Sequence, residues 1–328
     1  GGDTGLVRPI AAPHAWNTAQ TPSMHRPCTV ETAGNARSFR SHDTRDQMTS
    51  PTPDTNHPDL WLADWPWPAD DSHKHKRGAL GVVTGPPAST GAARLAARAG
   101  LRIGAGLATL FCPPSATLVN AAHETAVMVK PFGSPEALGE LAESCKCVLI
   151  GPAAGVSDAT RDNTLTVLDK AGAAVLDADA LTVFKDDPKT LFDAIIHPTV
   201  LTPHEGEFAR VFPGLLDKYS RPEATAIAAA RSGAVVLLKG NETLIAAPDG
   251  QLVLNRHASP FLATAGSGDV LAGMIAGLIA QGLDAFKAAC AGAWTHGEIA
   301  RRLGPGLISE DLPDALPGLL AEFYARRA

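Results

Sequence analysis

From Gly78 onward, short apolar runs alternate with helical stretches, and this alternation constrains the fold more than any other feature of the chain. Ala79–Thr84, Leu107–Phe111, Cys147–Ile150, Ala173–Asp177, Thr199–Leu201 and Ala234–Leu238 read as strands. Gly91–Ile103, Pro135–Ser144, Asp158–Ala171, Glu205–Phe212 and Pro222–Ser232 read as the helices between them. Strands that are apolar throughout are buried on both faces, which implies a mostly parallel sheet with helices on either side. Thr243–Ala247 and Gln251–Leu254 meet at Pro248-Asp249-Gly250 and read as a hairpin. Gly268–Gln281, Asp284–Arg302 and Leu316–Arg327 read as closing helices.

Hydrophobic residues make up 45% of the 328 positions, enough for one large α/β core. Residues 1–58 differ. They are rich in Pro, Thr, Asn, His and Ser, and read as a disordered leader or remnant ahead of a domain over 59–328. Trp61, Trp65 and Trp67 are expected on the domain surface or against a neighbouring subunit. The net charge of −6 comes with no basic stripe, which excludes nucleic acid as a partner. No apolar run reaches the roughly 18 residues that span a bilayer, and no signal-peptide pattern opens the chain. The five cysteines are scattered, as reduced thiols in a cytoplasmic protein would be. Cys145-Lys146-Cys147 has no partner pair and is read as structural, not as a zinc site.

Ligands of such sheets bind beyond the carboxyl ends of the strands. Gly-rich or polar clusters lie there: Thr84-Gly85-Pro86, Gly151 to Gly155, Asp177-Ala178-Asp179, Thr202-Pro203-His204 and Lys239-Gly240. A further cluster, Gly266-Ser267-Gly268-Asp269, opens an apolar helix. Glycines let successive N–H groups point into one cavity, and the helix dipole adds positive potential there. Such a pocket suits a phosphate. Asp269 is negative and sits beside it, as a general base must if it is to deprotonate an attacking hydroxyl. No G-x-x-x-x-G-K-[ST] run occurs, and Gly104-Ala105-Gly106 precedes a strand, so neither a P-loop nor a dinucleotide fingerprint is present.

Taken together, these runs resemble the ADP/ATP-dependent NAD(P)H-hydrate dehydratases of the ribokinase-like superfamily. The matching segments include Gly91 to Leu95, Gly151 to Gly155, Asp177 to Leu181, Thr202 to Glu207, Lys239 to Thr243 and Ala263 to Gly273, in the family's order. The resemblance implies a three-layer α/β/α sandwich. It implies a repair reaction in which ADP or ATP, with Mg²⁺, phosphorylates the 6-hydroxyl of hydrated NADH or NADPH (the S epimer), and phosphate then leaves. It implies Asp269 as base, Gly266, Ser267 and Gly268 as anion hole, and Lys239, Gly240, Asn241, Glu242, Thr243 and Gly268 as nucleotide contacts. Ala92, Gly155, His204 and Asp269 would touch the hydrated dinucleotide. Glu207 and Asp177 are candidates to order magnesium through water, with helix capping as the other reading of Glu207. Asp179 either orders the same rim or caps the next helix. A homo-oligomer is expected.

Two departures stand out. Alanine at 153 replaces a glycine of the family's Gly-Pro-Gly-x-Gly, which disfavours positive φ and predicts a tilted loop. His75 stands where the family often has tyrosine. Residues 1–58 are too short and polar for the epimerase domain of many bacterial relatives, so dehydratase activity alone is expected. The rival readings are a small-molecule kinase of the same superfamily and a non-catalytic nucleotide-binding protein.

Overall fold

The computed structural model describes residues 51–327. Ten strands form one sheet: β1 (Asp54–Thr55), β2 (Ala79–Val83), β3 (Leu107–Cys112), β4 (Met128–Pro131), β5 (Cys147–Ile150), β6 (Ala174–Leu176), β7 (Thr199–Leu201), β8 (Val235–Leu238), β9 (Thr243–Ala246) and β10 (Leu252–Asn255). Their order is β1-β10-β9-β8-β7-β6-β5-β2-β3-β4. From β4 to β8 every pairing is parallel, and β8-β9-β10 is the antiparallel meander that the hairpin pattern predicted. The chain runs from β2 outward to β4 and then returns to place β5 on the other side of β2. That reversal opens the crevice in which such sheets hold ligands.

Both faces are covered. In β5, Cys147 and Leu149 enter one core while Val148 and Ile150 enter the other, all fully buried. The first core packs against the helices Gly91–Arg102, Ser267–Ala280 and Ala285–Leu303. The second packs against Asp158–Lys170, Glu205–Val211 and Arg221–Ser232. The three-layer α/β/α expectation is therefore met.

The Ser267–Ala280 helix is held by close approach. A Cβ on Gly273 would stand 2.2 Å from the Ala96 carbonyl oxygen and 2.6 Å from its Cα. One on Gly277 would stand 2.7 Å from the Gly100 oxygen. These are backbone atoms and cannot swing aside. Gly273→Ala is expected to push the two helices apart at a cost of roughly 1–3 kcal/mol, read as a lower midpoint in urea with an unchanged slope.

The tryptophan expectation is corrected. Trp61 is fully buried and Trp65 nearly so, clustered with Trp294 and Phe323 at ring separations of 5.5–5.9 Å. The domain also reaches back past residue 58. β1 pairs with β10, and buried Asn56 donates to Asn255 Oδ1 (2.9 Å) and to the Cys290 carbonyl (2.8 Å). The last helix spans Asp311–Ala325, five residues earlier than its pattern suggested, because Pro313 falls in its first turn and Pro317 in its interior. β4 escaped detection because it is a largely exposed edge strand with no apolar alternation. Residues 1–50 lie outside the described residues.

Candidate active site

The predicted rim is continuous. Asp177, His204 and Lys239 follow β6, β7 and β8, which are neighbours in the sheet. A parallel bridge pairs His204 with Lys239 and extends the β7–β8 pairing to the rim. A Cβ on Gly151 would meet the Asp177 carbonyl oxygen at 1.8 Å, and one on Gly85 the Ala153 oxygen at 1.9 Å. The loops after β2, β5 and β6 thus touch only because these positions carry no side chain.

Gly266 precedes the Ser267–Ala280 helix at φ +89°, a conformation glycine adopts freely. Among the described residues, the N–H groups of Gly266, Gly268 and Asp269 have no protein acceptor, and that of Ser267 makes only a long turn bond to Thr264, at 3.4 Å. Orphan donors at a helix start are an anion site. The Ser267 hydroxyl donates to the Leu262 carbonyl (2.7 Å), and the Ser309 hydroxyl to the Ala265 carbonyl (2.6 Å), so the turn is braced on both sides.

Lys239 reaches the same place. Its ammonium lies 3.7 Å from where a Cβ on Gly268 would stand. It donates to Asp177 Oδ1 at 2.8 Å and lies 3.9 Å from Glu207 Oε2. Burial works against its charge, but Asp177, Glu207 and Asp269 outweigh that and raise its pKa. Asp269 is pushed up to about 6, chiefly by burial, then by the nearby Asp177 charge, with Lys239 opposing. A carboxyl with that pKa is mostly ionised at neutral pH yet basic enough to accept a proton.

A cavity of about 640 Å³ opens beside this cluster, its walls including Lys239, Gly240, Asn241, Thr243, Ser267 and Gly268. Five predicted contact residues thus line it through one loop and one helix start, Gly268 serving both as anion hole and as nucleotide contact. Glu242 does not: its carboxylate pairs with Arg256 at 2.7 Å. Its carbonyl accepts from Arg221 Nη1 at 3.1 Å. Arg221 went unrecognised in the sequence. Its Nη2 donates to the Lys239 carbonyl (3.5 Å) and occupies the space beside Gly240, where a Cβ would come within 2.4 Å. One guanidinium therefore spans the Lys239–Glu242 loop. A solitary arginine at a helix start carries no sequence signal of that role.

Glu207 and Asp177 both have protein partners. Glu207 Oε2 accepts the His204 backbone N–H at 2.9 Å, the His204 Nδ1 accepts from Gly206 and Glu207, and together they make a capping box. Asp177 is 3% exposed and held by Lys239 at 2.8 Å. Among the described residues, no group of three His, Cys, Asp or Glu side chains is placed to hold a metal. Glu207 thus takes its helix-capping reading. Asp179 orders the rim: its Oδ2 accepts the Gly155 N–H at 2.8 Å. His204, with a side chain 55% exposed, thus caps the Glu205–Val211 helix, and its Nε2 lies 3.3 Å from Glu207 Oε1.

The tilted-loop expectation is also corrected. Ala153 takes φ +53°, as a glycine would, and so does Ala178 at +47°. An alanine there is strained by about 1–2 kcal/mol, and glycine's greater unfolded freedom returns part of that. Ala153→Gly is expected to raise stability by about 0.5–1 kcal/mol, measured as an increase in Tm.

A family model described as NAD(P)H-hydrate dehydratase matches residues 80–314. The chain belongs to the NAD(P)H-hydrate dehydratase family. A bifunctional NAD(P)H-hydrate repair enzyme of Moorella thermoacetica is 41% identical over 266 residues, which are 76% of this chain and 50% of that one. The chain spans about half the length of the bifunctional relatives that head its matches. The ADP/ATP-dependent NAD(P)H-hydrate dehydratase of Bacillus subtilis, crystallised with ATP and Mg²⁺, superposes with a TM-score of 0.72 at 28% identity, covering 82% of this chain and 98% of that one. A ribokinase-like superfamily protein of Enterococcus faecalis superposes with a TM-score of 0.73 at 25% identity, covering 82% and 96%. The ribokinase-like reading of the fold holds. The family match spans β2 to the first turn of the last helix, and so includes every rim loop described above.

Proposed function

We propose that the chain is a hydro-lyase that restores NADH or NADPH from the S epimer of the C6-hydrated cofactor, with ADP or ATP as phosphoryl donor. The observation that carries this reading is Asp269, a carboxyl with a raised pKa that feels the Lys239 charge and directly follows Gly268, whose free N–H borders a cavity of about 640 Å³. Asp269 takes the 6-hydroxyl proton as its oxygen attacks the terminal phosphorus. The bond from that phosphorus to the remaining nucleotide breaks, giving AMP when ADP is the donor. The anion-hole N–H groups and Lys239 hold the charge on the transferring group. The C6–O bond then breaks with phosphate as leaving group, helped by the ring-nitrogen lone pair, and loss of a C5 proton restores the double bond. His204, Ala92 and Gly155 contact the hydrated dinucleotide.

Magnesium belongs to this reading as the companion of the nucleotide phosphates, its usual place in phosphoryl transfer, with Asp177 and Glu207 acting on it through water. Cys112, Cys145, Cys147 and Cys290 are free thiols, which supports a reducing, cytoplasmic setting. Among the described residues, no helix is long and apolar enough to cross a membrane.

The test is to incubate the protein with hydrated NADH, Mg²⁺ and either ADP or ATP, and to follow the reduced-nicotinamide absorbance. Absorbance must rise only with nucleotide present. Phosphorylation of hydroxymethylpyrimidine with no such rise would favour the kinase instead. Because Asp269 must be ionised to act, kcat/KM is expected to fall about tenfold per pH unit below about 6 and to level off above it.

A further inference from the structure

A second cavity, of about 740 Å³, lies along the Gly91–Arg102 helix. The anion-hole turn touches residues of both cavities. Leu262, Ala263, Ser267 and Gly268 face the first cavity. A Cβ on Gly266 would stand 2.8 Å from Leu95 Cδ1 and 3.1 Å from Ser309 Cβ, and Leu95 and Glu310 line the second cavity. The second cavity starts at Gly91, beside Ala92, and follows one stripe of the Gly91–Arg102 helix.

That stripe is basic. Arg94, Arg98 and Arg102 recur every fourth residue and line the cavity with His123. Arg98 and Arg102 share one carboxylate, Asp314, at 2.6 and 3.2 Å, so one positive charge is left over from that trio. Arg94 makes no ion pair among the described residues, and its Nε is buried without a hydrogen-bond partner. Glu124, the carboxylate nearest in charge to Arg94, has its pKa raised by burial, which Arg94 and Arg98 only partly offset. Glu310 supplies the other negative charge. A guanidinium left unpaired in a cleft is suited to phosphate.

Transfer between two nucleotides needs two such spaces meeting at one phosphorus: the donor fills one, and the acceptor must fill the other. We infer that the Arg94–His123 cavity binds the phosphate-bearing adenosine half of the hydrated dinucleotide while its modified nicotinamide ring lies at Asp269. This inference rests on the dehydratase reading and names the subsite that reading leaves open. Arg94 is its principal phosphate contact, and Arg98 adds charge.

Steady-state kinetics of Arg94→Ala, Arg94→Lys and Arg94→Glu test it, with hydrated NADH and hydrated NADPH as substrates. Arg94→Ala is expected to raise KM for the dinucleotide tenfold or more, with KM for ADP unchanged. Arg94→Glu is expected to raise it further, and Arg94→Lys to recover part of the loss. Equal KM values for wild type and Arg94→Ala in a folded protein of normal Tm overturn the inference and leave the dehydratase reading standing. Equilibrium binding of NADPH to the same variants keeps the test independent of turnover. If the wild type turns over no hydrate, weakened NADPH binding by Arg94→Glu still supports the subsite, and unchanged binding overturns it. A parallel rise in KM for ADP would assign Arg94 to the nucleotide side and also overturn it.

Discussion

Asp269→Asn is expected to bind ADP as tightly as the wild type and to lose about 10²–10⁴-fold in kcat. Asparagine keeps the size and hydrogen-bonding outline of the side chain but cannot take up the hydroxyl proton. Folding will not confound the result. The folded pKa of Asp269 lies at about 6, above the ordinary 3.8. The fold therefore favours the protonated carboxyl. That contribution is complete below pH 3.8 and is lost as pH rises through about 6. At pH 7.5 the ionised carboxylate is a cost, which asparagine removes. Lower turnover should thus accompany an equal or higher Tm, and the acid limb of the pH profile should vanish. Turnover of the Asn variant near the wild-type rate would show that another group is the base.

Lys239→Met should have the largest effect on stability. Its ammonium is the partner of Asp177, which is 3% exposed, and lies close to Glu207, which is 9% exposed. Removing one member of a buried pair strands the other charge and typically costs about 3–5 kcal/mol. Adding Asp177→Asn to Lys239→Met replaces the stranded carboxylate with a neutral amide and should restore most of the loss. Nucleotide affinity should not return with it, because no cation then faces the anion hole. Lys239 also holds down the pKa of Asp269. Whatever activity survives in Lys239→Met should therefore have its acid limb shifted to higher pH. Chemical denaturation of the single and double variants measures the first effect, and titration with ADP the second. A Lys239→Met protein as stable as the wild type would mean that Asp177 is not dependent on this lysine.

Much of the architecture was written in local pattern. β5 and β7 emerged with their predicted bounds, because uniformly apolar runs between turn residues suit strands buried on both faces. The Asp269 motif was legible for a similar reason: glycines, a carboxylate and a helix start interact over a few residues, and their chemistry travels with the sequence. What the pattern lacked was any signal where a role comes from distant contacts. Trp61 looked like a surface residue because it lies in a short entry segment ahead of the regular strand–helix pattern, yet Trp65, Trp294 and Phe323 pack against it.

The sequence by itself determined the parallel α/β core, the rim of loops and the carboxyl beside the anion-hole turn, since burial periodicity, glycine geometry and ionisable chemistry are properties of neighbouring residues. Tertiary structure alone decided that Asp177 pairs with Lys239, that Arg221 spans the Lys239–Glu242 loop, and that Ala153 bears a glycine's backbone angle. The Asp177–Lys239 pair joins residues 62 apart in the chain, and Arg221 reaches carbonyls 18 and 21 residues away. A carboxylate's role is set by the cation that reaches it first.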